Sequence, residues 1–225
     1  MLFGGRAGHS PAACAAGTVG RVTGLFVTLE GIDRSGKTTQ ARLLCDALGA
    51  EALAIREPGG TAVGERVRDL LKDPSLTFGP HAEALLFAAA RAELCRRVIR
   101  PALAEGRVVV CDRFVDSSLA YQGEARGLGV DDVREINAWA TEGLLPDLTI
   151  YLAVHPAAAR ARAGRNDRIE SEGAALQEAV ARAYDRLAES EPGRWRRIDA
   201  DRPAEDVHAD VVAAVEAARA SAAAL

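Results

Sequence analysis

The segment that most constrains the fold of this chain is residues 31–38, GIDRSGKT, in which four residues separate the first glycine from Gly-Lys-Thr. An apolar run over 25–29 precedes it, and apolar residues at helical spacing follow it. This order is typical of a P-loop, whose backbone N–H groups surround phosphate oxygens at a helix N-terminus. Lys37 can reach the β- and γ-phosphates, and the Thr38 hydroxyl can ligate Mg²⁺. The pattern therefore predicts a nucleoside triphosphate site.

Short apolar runs alternate with helical patterns along the rest of the chain. The predicted strands cover residues 25–30, 52–56, 107–111, 148–152 and 195–199. Continuous apolar strands between helices are typical of a parallel sheet that is buried on both faces, so we predict a three-layer α/β domain. Right-handed crossovers place the C-terminal ends of such strands at one edge. Residues 30–38, 56–61 and 112–122 each follow a strand and should meet there.

The longest predicted helix covers about 80–104, and an alanine-rich helix over about 203–223 ends the chain. Two apolar stripes run along the first of these helices, one beginning at Leu85 and Ala89, the other at Phe87 and including Arg91. A helix that is apolar on two faces is expected to run buried through the middle of a domain.

Composition bounds the remaining possibilities. A formal net charge of -4 gives no support for nucleic acid or an anionic membrane as partner. No apolar run approaches the ~18 residues needed to cross a bilayer. Four scattered cysteines, at 14, 45, 95 and 111, suggest small buried hydrophobes in a reducing compartment, so we expect a cytoplasmic chain.

The first 22 residues are rich in Gly, Ala and Ser and lack the apolar core of a signal peptide. We expect a flexible N-terminal extension over 1–22 and a single domain over 23–225.

A second set of polar residues lies after the strands. Asp112 can hold Mg²⁺ through water, and Arg113 beside it is a charged planar fork that suits a phosphate. An ion pair at the end of the strand is the alternative interpretation of these two residues. Hydroxyls, a phenol and an amide occur over 116–123, and Phe87 lies four residues before Arg91 on one helix face. These groups could read a base and a sugar.

Together, residues 30–39, 56–61, 112–114 and 117–123 closely resemble the bacterial thymidylate kinase family, over roughly residue 25 to the C-terminus. The resemblance implies a P-loop nucleoside monophosphate kinase fold with a small arginine-rich lid at about 160–172. It implies phosphorylation of dTMP to dTDP for dTTP synthesis, with ATP as donor and Mg²⁺ as cofactor, by a homodimer.

The resemblance also assigns roles to residues. Phe87 would stack on thymine, Arg91 would hydrogen-bond the base, and Tyr121 would crowd the 2′ position of the sugar. The predicted dTMP-binding residues are Asp33, Glu57, Pro58, Arg68, Phe87, Arg91, Arg113, Ser117, Ser118, Tyr121 and Gln122. The predicted ATP-binding residues are Gly31, Ile32, Asp33, Arg34, Ser35, Gly36, Lys37, Thr38 and Thr39. The predicted metal-binding residues are Thr38, Asp112 through water, and Glu57.

Arginine occurs both in the P-loop, at Arg34, and in the lid, although members of the family usually carry it in only one of these places. The lid arginines are at 160, 162, 165 and 168. Either location could stabilise the transferring phosphoryl group, so the predicted catalytic residues are Lys37, Arg34, Arg113, Arg160, Arg162 and Arg165.

Two other functions fit parts of this pattern. A deoxynucleoside kinase would need a carboxylate base after the second strand, and Glu57 occupies that position. A P-loop binding module would hold a nucleotide without transferring phosphate. Arg68 and Arg113 argue against a neutral acceptor, and a second pocket argues against a simple binding module.

Overall fold

A computed structural model of the protein describes residues 24–162 and 173–223. Its sheet is parallel, five-stranded and ordered β2-β3-β1-β4-β5. The strands are β1 (Leu25–Glu30), β2 (Ala52–Arg56), β3 (Val108–Asp112), β4 (Leu148–Ala153) and β5 (Trp195–Asp199). Every residue of β1 and β4 is buried, as expected for central strands covered on both faces.

Helices cover both faces of the sheet. They are α1 (Lys37–Leu48), α2 (Ala62–Lys72), α3 (Pro80–Leu94), α4 (Arg100–Ala104), α5 (Val115–Ser118), α6 (Val130–Ala140), α7 (Pro156–Ala161), α8 (Ala174–Ser190) and α9 (Ala204–Ala223). None of the helices within 24–162 and 173–223 is long and apolar enough to cross a membrane.

The predicted α/β fold and its five strands are confirmed, with two small differences: the third strand covers Val108–Asp112, and the fourth extends to Ala153. The predicted helix over 80–104 is interrupted, since π-helical turns over Cys95–Ile99 separate α3 from α4. A second π-helical segment, Leu119–Ala125, continues α5. Such bulges re-aim the side chains that follow them and are frequent at functional sites.

The expectation that the long helix is buried on two faces is wrong for the first half of one of them, whereas Ile99 and Leu103 farther along the same stripe are buried. Leu85 is 56 % exposed, and Ala89 is exposed as well. Both residues line an open apolar groove between α3 and α6, with Ile136 and the 86 % exposed Trp139 opposite. The other face carries Phe87 and Arg91 toward the interior, so α3 separates a polar cleft from a surface groove.

Residues 1–23, 163–172 and 224–225 lie outside the described part of the chain, and so do the predicted extension and most of the predicted lid, including Arg165 and Arg168. Cys95 and Cys111 are buried as predicted, whereas Cys45 is half-buried.

Candidate active site

The P-loop connects β1 to α1 through backbone conformations that favour glycine. Gly31 has φ 145°, and a Cβ there would lie 2.7 Å from the Leu152 carbonyl oxygen; Gly36 has φ 101°. The loop wraps around Lys37, whose Nζ donates to the carbonyls of Gly31 (3.1 Å) and Ile32 (2.6 Å). Burial, and secondarily Arg113, lower the pKa of Lys37 to about 8. An incoming polyphosphate would supply the negative charge that restores this cation.

Thr38 and Asp112 face each other where β1 and β3 end. The Thr38 hydroxyl donates to Asp112 Oδ2 at 2.5 Å. These oxygens fit Mg²⁺, which takes hard oxygen ligands and completes its shell with phosphates and water. No group of three His, Cys, Asp or Glu residues suited to a metal occurs in the described ranges.

Arg113 follows β3 with a left-handed backbone, φ 74°, which turns its side chain back over the P-loop. Its guanidinium pairs with Asp33 Oδ1 at 2.5 Å and donates to the Gly31 carbonyl and the Ser117 hydroxyl. It also lies 5.2 Å from the centre of the Tyr121 ring. A fixed cation therefore lies beside the P-loop, between its Asp33 and the Tyr121 ring.

Glu30, the last residue of β1, lies buried beneath this arginine. Its carboxylate accepts hydrogen bonds from the Phe114 N–H (2.7 Å), the Ser117 hydroxyl (2.7 Å) and the Tyr184 hydroxyl (2.8 Å). Burial and the Asp116 carboxylate raise the pKa of Glu30 to about 7. The residue thus joins β1, the loop after β3 and α8. Sequence reasoning assigned it no role.

All eleven residues predicted to bind dTMP line one cleft of about 240 Å³ beside the P-loop, which we call the acceptor cleft. Arg56 and Lys72 also line it and were not predicted. Phe87 is half-buried against Val67 and Leu71, with Arg68 donating to the Pro58 carbonyl at 2.8 Å. The cleft therefore combines an aromatic wall with cations.

Arg91 and Glu57 form a buried ion pair at the base of this cleft. Glu57 Oε2 accepts from Arg91 Nε at 2.8 Å and lies 2.6 Å from Nη2. Burial raises the pKa of Glu57, and the Arg91 charge acts in the opposite direction. Glu57 is thus a partner of Arg91 first, and its second oxygen, Oε1, is buried with no described partner.

Polar groups on the far side of the cleft are also held in place. Gln122 Nε2 donates to Glu83 Oε1 at 2.9 Å, and Glu83 is paired with Arg126. The amide orientation of Gln122 is set by this bond, because a carboxylate only accepts. Glu83 was not identified from the sequence. The only feature of the sequence that could have pointed to it is a charged residue within an apolar segment of a helix.

A second cleft of about 500 Å³, the donor cleft, lies on the other side of the P-loop. It is lined by the predicted residues Arg34, Ser35, Gly36, Lys37, Thr38, Thr39 and Arg162, and by the unpredicted residues Gln40, Ala200, Arg202, Ala204 and Val207. The loop from β5 to α9 and the first turn of α9 supply all of these unpredicted residues except Gln40, and sequence spacing alone does not bring this segment beside the P-loop.

Arg34 and Arg162 lie together at the mouth of the donor cleft. Arg162 Nη1 donates to the Arg34 carbonyl at 3.1 Å, and Arg34 Nη1 donates to the Arg162 carbonyl at 3.3 Å. Arg160 is exposed on α7 and lines a small cavity with Asp33 and Arg34. Gln177 on α8 is bonded to Asp33 through both amide atoms: its Nε2 donates to Asp33 Oδ2 at 2.6 Å, and its Oε1 accepts from the Asp33 N–H at 3.1 Å.

A parallel sheet of this order, with a P-loop after its central strand and an arginine-bearing cleft on the other side of that loop, defines the class of P-loop nucleoside monophosphate kinases. Within that class, a family model described as thymidylate kinase matches residues 29–211. The chain belongs to the thymidylate kinase family.

Similar proteins agree with this placement. Thymidylate kinases of Leifsonia xyli and Deinococcus radiodurans are 48 % and 46 % identical, covering 84 % and 85 % of this chain and 92 % and 96 % of those relatives. A crystal structure of thymidylate kinase from Ehrlichia chaffeensis superposes with a TM-score of 0.70 at 31 % identity, covering 85 % of this chain and 98 % of that one.

Proposed function

We propose that this chain transfers the γ-phosphoryl group of ATP to the phosphate of dTMP, giving ADP and dTDP for dTTP synthesis. The observation that carries this proposal is that Arg34, Lys37 and Thr38 line both clefts. A donor phosphate in one cleft and an acceptor phosphate in the other would therefore meet at the same residues. Such positioning supplies much of the catalysis in phosphoryl transfer.

The chemistry at this meeting point needs cations more than a base. The second pKa of a phosphate monoester is about 6, so the acceptor oxygen is already ionised near neutral pH. The barrier that remains is the approach of two anions, which the cations Lys37, Arg113 and Arg68 in the acceptor cleft would offset. Mg²⁺, held by Thr38 and by Asp112 through water, would add charge beside the donor phosphates.

The acceptor cleft suits a thymine deoxynucleotide. We assign stacking on the base to Phe87 and recognition of the base edge to Arg91, Ser118 and Gln122. Tyr121, buried beside Arg113, would crowd a 2′-hydroxyl. Asp33 and Glu57 remain candidates for the sugar 3′-hydroxyl or the metal–phosphate network, although the Glu57–Arg91 pair favours a role at the acceptor.

The ATP base would occupy the donor cleft beside Ala200 and Arg202. This extends the ATP site beyond the predicted residues 31–39. Of the predicted catalytic arginines, Arg34 and Arg162 line this cleft, and Arg160 lines the small cavity that shares Arg34 with it. Arg113 lines the acceptor cleft, and Arg165 stays a prediction.

The proposal is tested by dTMP-dependent formation of ADP from ATP and Mg²⁺ by the purified chain. Transfer to dTMP with little transfer to thymidine is expected. Efficient transfer to thymidine, abolished by Glu57→Gln, would instead support the deoxynucleoside kinase. Nucleotide binding without transfer would support a binding module.

We also infer a homodimer that forms through the groove between α3 and α6. An 86 % exposed tryptophan beside Leu85 and Ile136 is an unusual surface for a chain on its own, and a second copy would cover it on the same elements. We further propose a cytoplasmic location and small nucleotides, rather than nucleic acid or membrane, as partners. The net charge of -4 and the buried Cys95 and Cys111 thiols support this inference.

A further inference from the structure

Arg91 is held by a complete set of protein partners. The side chain is 1 % exposed, and each of its three guanidinium nitrogens is bonded within the protein. Nε and Nη2 contact Glu57, and Nη2 also donates to the Phe114 carbonyl at 3.0 Å. Nη1 donates to the Ser118 hydroxyl at 3.1 Å and to Asn137 Oδ1. Only Asn137 comes from outside the elements that line the acceptor cleft.

The direction of the Asn137 amide is fixed by its own environment. Its Nδ2 donates to the Val133 carbonyl, one turn earlier in α6, at 2.7 Å. A carbonyl can only accept, so this bond places the amide oxygen toward Arg91. Asn137 is itself 1 % exposed, so bulk water does not compete for either bond. The residue is therefore an oriented acceptor, aimed at one nitrogen of one arginine.

We propose that Asn137 is a positioning residue for the acceptor nucleotide: by accepting from Arg91 Nη1, it holds the guanidinium against the cleft. This inference rests on the proposed function, since it assumes that Arg91 faces the base of dTMP. Asn137 does not line the cleft, so it acts through Arg91 and not by contact with the nucleotide.

Without the Asn137 oxygen, Arg91 Nη1 would have fewer hydrogen-bond partners. Ser118 would be its remaining described partner, and Ser118 lines the same cleft as the proposed nucleotide site. The guanidinium and the base would then compete for one hydroxyl. A buried charged donor that loses a partner also costs folding free energy unless another group takes that place. Asn137 thus keeps Ser118 available for recognition.

The test compares Asn137→Leu with Asn137→Asp in the full chain, measuring kcat, KM for dTMP, KM for ATP and dTMP binding by calorimetry. Leucine has similar volume and no acceptor, whereas aspartate keeps an oxygen facing Arg91. We expect N137L to raise KM and Kd for dTMP about tenfold, as loss of one charged hydrogen bond would. We expect its KM for ATP to change less than twofold. For N137D, KM and Kd for dTMP should stay within about threefold of the wild-type values. Its second oxygen would face the Val133 carbonyl, so we expect a lower melting temperature.

Thr141→Val is the matched control for the stability of α6. Thr141 lies one turn after Asn137, is equally buried, and its hydroxyl has no described hydrogen-bond partner. If T141V raises KM for dTMP as much as N137L, the effect is structural and the proposal is wrong. The same conclusion follows if N137L binds dTMP like the wild type, or loses dTMP and ATP affinity equally.

If N137L does not fold, Asn137→Ser takes its place, because the shorter serine side chain does not reach Arg91. The same changes in KM and Kd are then expected for N137S, and the same outcomes would contradict the proposal. Failure of the proposed function gives a different result, because the wild-type chain would then form no ADP in response to dTMP.

Discussion

Lys37 is the residue on which transfer should depend most directly. Its Nζ donates to two carbonyls of the P-loop. Because the donor phosphates would bind to the same loop, Nζ could exchange these bonds for bonds to phosphate oxygens. We expect Lys37→Ala to lower kcat by roughly 10³, as removal of a preorganised charge in a transition-state site does. Kd for dTMP, measured by calorimetry, should change less than about threefold. Near-normal turnover by a folded K37A chain would contradict the proposed role of the P-loop.

Arg113 should distinguish a phosphate-bearing acceptor from a neutral one. We expect Arg113→Ala to weaken dTMP binding by roughly 10² and thymidine binding by much less, because only dTMP carries the charge that Arg113 would pair with. Arg107→Ala is a suitable control, since Arg107 precedes the same strand at its opposite end and bonds the Ala52 carbonyl. Equal losses for both ligands would show that Arg113 serves the fold and not the phosphate.

Arg34 and Arg162 offer a test of how the P-loop and lid share charge. Arginines approaching from opposite sides would act independently, but here each guanidinium bonds the other's backbone. We expect the single alanine variants to lower kcat and the double variant to lose markedly less than the product of both, since contacting residues couple. A double-mutant cycle at saturating ATP and dTMP measures this coupling, with Arg160→Ala as the exposed comparison. Simple additivity would exclude a shared role.

At the scale of elements, Glu30 connects β1 to the loop after β3 and to α8. Its neighbours are Asp116, Arg113 and Tyr184, and its pKa is raised from 4.5 to about 7. In the unfolded chain Glu30 ionises near pH 4.5, but in the folded chain it keeps its proton until about pH 7. The stability that it contributes is therefore complete below about pH 4.5 and is lost as the pH rises to about 7.

Glu30→Gln should remove this dependence, because an amide does not titrate. We expect the free energy of unfolding of E30Q, relative to the wild type, to increase between pH 4.5 and 7, by at most about 1.4 kcal/mol per pH unit. Urea unfolding at several pH values measures the difference. The exposed Glu51→Gln variant should show no such trend, and a flat difference for E30Q would show that Glu30 is already ionised in the folded chain.

The elements were predictable to the extent that a local pattern determines them. Buried parallel strands are short continuous apolar runs, so β1 and β4 could be located from the sequence, and the P-loop fixed the start of α1. The π-helical turns at Cys95–Ile99 could not be located, because a shift from i→i+4 to i→i+5 bonding leaves no mark on periodicity. The exposure of Leu85 could not be predicted for a related reason. Apolar residues at helical spacing indicate an apolar face, but they do not indicate whether another element of the same chain packs on that face.

The residues of the candidate site were also predictable only where a local sequence motif identifies them. Residues in the P-loop and in the segments after the strands carry recognisable motifs, and the structure brings them to one edge of the sheet. Glu83, Asn137 and Gln177 were missed because they are single polar residues on helices, and their roles depend on what lies across from them. Such partners are set by tertiary packing, which no spacing within one helix records.

At the scale of the whole molecule, α3 and α6 each serve two surfaces. Inward, α3 carries Arg91 to the acceptor cleft and α6 carries Asn137 to Arg91. Outward, the two helices carry Leu85 and Trp139 to the groove. The nucleotide site and the proposed contact between copies are therefore opposite faces of one helix pair. A second copy packed on the groove would restrict the motion of both helices, and with it the placement of Arg91.

Trp139→Glu tests this arrangement. We expect the wild-type chain to sediment at twice its mass of 23.7 kDa and W139E to sediment as a single chain, because a carboxylate buried at a symmetric contact would face its copy. Leu145→Glu is the control, since Leu145 is an exposed apolar residue outside the groove and should leave the mass unchanged. W139E should also bind dTMP several-fold more weakly than L145E, because α3 and α6 lose the second copy that braces them. A wild-type chain that sediments as a monomer at micromolar concentration would exclude the dimer. Equal dTMP affinity in W139E and L145E would show that contact at the groove does not affect nucleotide binding in the acceptor cleft.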